Sequence, residues 1–69
     1  MMLSEIKNRI ASDKANNIKE EWENYVISAF HADSGLYLDS EVFEIMKVKN
    51  KNDVLKLIDM LIAKVKEMK

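Results

Sequence analysis

Val54, Ile58, Leu61, Val65 and Met68 recur at intervals of 4, 3, 4 and 3 residues towards the end of the chain. That is the seam spacing of packed helices, and it predicts an amphipathic helix from Asp53 to about Met68. Leu55, Leu57 and Ile62 flank the seam and widen the apolar face to about 160° at about 100° per residue, enough to touch two neighbours. Lys56, Asp59, Lys64, Lys66 and Glu67 take the opposite side. Asn52 or Asp53 is suited to cap the N-terminus, and Lys64, Lys66 and Lys69 suit the negative end of the dipole.

The first half carries two stripes. Ala11, Ala15, Ile18, Trp22, Val26 and Ala29 share one helical face, with Tyr25 beside it, while Leu3, Ile6 and Ile10 form a second stripe about 100° away. One long helix from about Leu3 to Phe30, kinked or turning its face along its length, accounts for both. A break near Ser12-Asp13, two good capping residues, is the other reading. We take the single helix as the expectation.

Gly35 reads as a helix stop, because it can take a positive φ. Asp39 then marks a new start, with Glu41 in the first turn and Leu38 able to staple onto Phe43. The predicted short helix, Ser40 to about Lys47, would bury Val42, Phe43, Ile45 and Met46, and Lys49-Asn50-Lys51-Asn52 would end it. A short hairpin near residues 36–48 is the alternative, and it lacks a two-residue turn signature.

Composition favours the helical reading. The 69 residues contain no Pro and one Gly, too few turn formers for a small β domain. The fold class is therefore all-α: a small bundle of long, short and long helices forming a single domain. With no Cys, neither a disulfide nor a thiolate zinc site can reinforce it. A core this small covers only about 60% of the surface of the unfolded chain. Because 48% of the residues are hydrophobic, self-association is the expected way to hide the surplus. The start lacks the basic-then-apolar order of a secretory signal, and the longest apolar run, Met60 to Ala63, is far short of a membrane span. A cytoplasmic, non-membrane protein is expected.

Charge is unevenly placed. Residues 1–44 hold nine acids and four bases, a net of −5, and residues 45–69 hold three acids and seven bases, a net of +4. Such a dipolar chain can pair with itself or offer its basic end to an acidic partner. Lys47, Lys49, Lys51 and Lys56 cluster before the last helix and resemble a phosphate-contacting surface, though no arginine accompanies them to read bases.

The remaining candidates carry little chemistry. His31 is the only histidine and has no nucleophile or orienting carboxylate in a recognisable motif. Asp33 and Glu44 bound a 12-residue window like an EF-hand loop, but Gly35 and Tyr37 replace oxygen donors and Leu38 replaces the central glycine. Catalytic, metal and cofactor sites are all expected to be absent. Ile27 points away from the main stripe with Phe30 between the two, so Ile27 and Phe30 are the expected partner interface. The chain reads as a non-enzymatic protein–protein interaction or regulatory module, homodimeric. A nucleic-acid binder using Lys47, Lys49, Lys51 and Lys56 is the alternative.

Overall fold

The computed structural model describes residues 1–68. They form four helices: α1 Met2–Ser12, α2 Glu20–Ser34, α3 Val42–Ile45 and α4 Lys51–Met68. No strand is present among the described residues, so the hairpin alternative for 36–48 falls away.

The long first helix divides in two. Asp13 leaves the helix with an extended backbone (ψ 141°), and its Oδ1 accepts the Ala15 N–H at 2.8 Å. This local side-chain bond offers the backbone an alternative to the helical ladder. The freed segment is held by a distant partner. Ile18 N–H donates to Lys49 O (3.3 Å) and Lys51 N–H to Asn16 O (2.7 Å), which makes an isolated antiparallel bridge between Asn17 and Asn50. The break lets each stripe turn inward separately: Leu3, Ile6 and Ile10 from α1, and Trp22, Val26, Ala29 and Phe30 from α2. Ala11, which the spacing placed at the head of the Trp22 stripe, is exposed instead.

Three long-range contacts set the helix directions. The Asp33 carboxylate, near the end of α2, accepts the N–H groups of Met2 and Leu3 at the start of α1. The Lys51 ammonium, at the start of α4, donates to the carbonyl of Asp13 just past the end of α1. Lys7 and Asp59 form an ion pair midway, at 2.6 Å. Consequently α1 runs antiparallel to both α2 and α4, which start side by side at the Asn17–Asn50 bridge. Arg9 also lies 5.5 Å over the Tyr25 ring, a cation–π contact from α1 to α2.

Gly35 ends α2 in the left-handed conformation (φ 76°), its N–H donating to His31 O at 2.7 Å. Asp39 Oδ1 accepts the Glu41 N–H at 2.9 Å and so starts the turn into α3, as its position predicts. That helix is shorter than expected and buries less. Phe43 is buried, Val42 is half-buried, and Ile45 and Met46 are exposed, because a single turn presents only one side to the core. The start of α4 lies two residues before Asp53. Its cap is Asn50, whose Oδ1 accepts the Asp53 N–H (3.0 Å), while Asp53 Oδ2 accepts the Lys49 N–H (3.1 Å). Val54, Leu57, Ile58, Leu61 and Val65 are buried as the seam predicts. Met68, the last seam position, is exposed, and Lys69 lies outside the described residues.

Candidate interaction surface

The exposed strip of α4 has two neighbours. On one flank α1 reaches it through Lys7–Asp59. On the other, Met46 and Val48, from the α3 region, lie beside Asp53, Lys56, Leu57 and Met60 around a shallow cleft of about 170 Å³. Between the flanks the exposed residues of α4 include Lys56, Met60, Ala63 and Glu67, spaced 4, 3 and 4. At about 100° per residue these four lie within about 60° of one another, a narrow seam along the helix.

This side of the molecule carries uncovered apolar surface. Met60 is 55% exposed and Met46 44%, and Ile45, next to Met46 in the chain, is 73% exposed. Asp39, Ser40 and Glu41 lead the chain into α3, and Lys47 follows it with φ 55°, which turns the backbone sharply back towards the start of α4. The short helix therefore shields the core with Phe43 while leaving its outer residues to solvent. A second exposed group, Met1, Met2, Leu36 and Tyr37, gathers where α1 begins and α2 ends.

Phe30, expected at a partner surface, is 3% exposed and belongs to the monomer's own core. Ile27 is half-buried and packs against that same core. Phe30 follows Val26 by four residues and so shares the inward face of α2 with Trp22, Val26 and Ala29. The four lysines stand in three settings. Lys47 and Lys49 line a cleft with Glu23, Phe43, Glu44 and Val48, so two carboxylates share the space with two ammonium groups. Lys51 is committed to the Asp13 carbonyl, and Lys56 stands on the apolar cleft of α4.

The other polar candidates have structural partners. His31 Nδ1 lies 3.3 Å from Leu36 O, and its ring stacks on Tyr37 with centroids 4.4 Å apart. Asp33, the first position of the 12-residue window, holds the start of α1. The two oxygens of the Asp13 carboxylate have separate partners, the Ala15 N–H and the Lys19 ammonium. The Ala15 N–H bond and then the Lys19 ammonium, 3.0 Å away, hold it below its ordinary value. Lys19 is raised in turn, chiefly by its bond to Asp13. Among the described residues no group of three or more His, Cys, Asp or Glu side chains is placed to hold a metal ion. Nor is any helix long and apolar enough to cross a membrane.

Sequence reasoning missed Met46 and Met60 as surface residues. For Met60 the signal was there: it falls on the polar side of the α4 seam, between Lys56 and Lys64. Compared with known proteins, the chain shows no significant match to a family model, a curated protein or a solved structure.

Proposed function

We propose that this chain is a cytoplasmic, non-enzymatic protein–protein interaction or regulatory module that acts as a homodimer. The observation that carries the reading is the apolar surface formed by the exposed Met46 and Met60 at the cleft lined by Leu57 and Val48. Contiguous apolar surface rimmed by charge is the usual mark of a contact face. Here Lys56 and Asp53 supply the rim. Association favours the folded state by mass action, so the melting temperature should climb as protein concentration rises. A midpoint that stays constant over a hundredfold range of concentration would defeat the homodimer.

Nucleic-acid contact is the second reading, supported by the net +4 of residues 45–69. Against it, Glu23 and Glu44 stand beside Lys47 and Lys49. A gel-shift titration at two salt concentrations separates the readings, because affinity built on phosphate contacts falls steeply with salt.

A further inference from the structure

Resting on the homodimer reading, we infer that two copies pair through α4, laid antiparallel about a two-fold axis level with the Leu61–Ile62 peptide. The warrant is the order of residues along the exposed seam: Lys56, Met60, Ala63, Glu67. Under that symmetry, positions equally distant from the axis face each other. Met60 then lies on Ala63 of the partner subunit, and Lys56 meets Glu67 of the partner subunit. Each contact occurs twice.

The flanks agree with the seam. In an antiparallel two-fold pair each flank meets its own copy. Asp59 and Lys66 lie on one flank, the side of α1, and come within two residues of level with each other, about 3 Å along the axis. Asp59 already holds Lys7, and a carboxylate can accept from two ammonium groups. Ala63 is small enough for the two helices to approach closely, with the flexible Met60 filling the space over it. A helix seated here also covers the mouth of the Met46–Leu57 cleft.

Other arrangements are disfavoured by charge. Parallel pairing would set Lys56 against its own copy and Glu67 against its own copy. An antiparallel axis level with Met60 would set Lys56 against Lys64. Like charges facing across an interface select against those registers. In the antiparallel register centred on Leu61–Ile62 the seam sets Lys56 against Glu67 twice and Met60 against Ala63 twice.

Charge exchange tests this directly. Lys56→Glu and Glu67→Lys should each weaken the dimer about tenfold in dissociation constant by sedimentation equilibrium, since each places two like-charged pairs in the contact. Combining them restores opposite charges and the wild-type net charge, and should bring affinity back to within about threefold. Both side chains are exposed, and circular dichroism of each variant verifies the fold. If both single variants associate like wild type, α4 pairing is overturned while the homodimer stands. If the singles weaken and the double does not recover, the antiparallel register is wrong. A monomeric wild type removes the homodimer reading together with this inference.

Discussion

Asp33 caps the helix that begins with Met2 and Leu3, although 30 positions separate Asp33 from Leu3. Its two carboxylate oxygens accept the N–H groups of Met2 at 2.9 Å and Leu3 at 2.8 Å. No side chain at Met1 can do this, so α1 borrows its cap from the end of α2. The negative charge also sits at the positive end of the α1 dipole. Asp33→Ala should destabilise the domain by about 1 kcal/mol, as loss of an N-cap does. In a domain of this size that lowers the melting midpoint by about 4–8 °C. Urea denaturation of the two proteins checks the value. Equal stability would mean that water replaces the carboxylate without penalty.

The core leaves little reserve. Trp22 is 2% exposed and Ile58 fully buried, both within one cluster drawn from α1, α2, α3 and α4. Trp22→Ala should cost about 3–5 kcal/mol and Ile58→Ala about 2–5 kcal/mol, combining lost burial with the cavity left behind. A core of this size supplies about 3–5 kcal/mol of net stability, so either variant should be largely unfolded at room temperature. Far-UV circular dichroism at 25 °C decides it. A folded Trp22→Ala protein with an unchanged midpoint contradicts the packing.

Among the described residues, Gly35 and Lys47 have positive φ, and they should respond in opposite directions. Gly35 (φ 76°) has open space where a Cβ would stand, so Gly35→Ala meets conformational strain alone and should cost about 1–2 kcal/mol. Lys47 (φ 55°) already bears that strain. Lys47→Gly relieves about 1–2 kcal/mol of it and gives back about 0.5–1 kcal/mol in unfolded-chain entropy, for a small net gain. Thermal melts of both variants check the signs, and a destabilised Lys47→Gly would show that the lysine side chain contributes to the turn.

How legible each element was depended on how local its determinants are. The α4 seam was readable because Val54, Ile58, Leu61 and Val65 obey one period and face one core. The two offset stripes of the first half were also visible, but the choice between a kink and a break was not. It turns on the contact of residues 16–18 with Lys49 and Lys51, more than 30 positions away, which no local pattern encodes. Asp33 likewise reads as one more acid of the middle segment until α1 is placed beside it. The surface was legible in part: Lys56, Asp59, Lys64, Lys66 and Glu67 fell on the outer side of α4 as expected. Ile45 and Met46 did not follow their hydrophobicity, because the α3 turn is too short to bury more than Phe43 and part of Val42.

The Asp13–Lys19 pair fixes the sign of two pH effects. Asp13 is held below its ordinary 3.8 in the folded chain, first by the Ala15 N–H and then by Lys19. Its contribution is present above the unfolded value and lost as pH falls through the folded one. Lys19 is raised above its ordinary 10.5, so its contribution is present below that value and lost as pH rises through the folded one. Asp13→Asn should therefore flatten part of the stability loss below about pH 4, where the wild-type carboxylate takes up its proton. Melting midpoints between pH 2 and pH 7 measure it, and parallel acid limbs for the two proteins would contradict the pairing.

Self-association is the claim on which the functional reading rests, and sedimentation velocity of the unmodified chain tests it without any variant. Run across a hundredfold concentration range, the sedimenting species should shift towards twice the 8.0 kDa of one chain as concentration rises. A single 8.0 kDa species at every concentration would contradict the homodimer and leave the Met46–Met60 face without the occupant assigned to it.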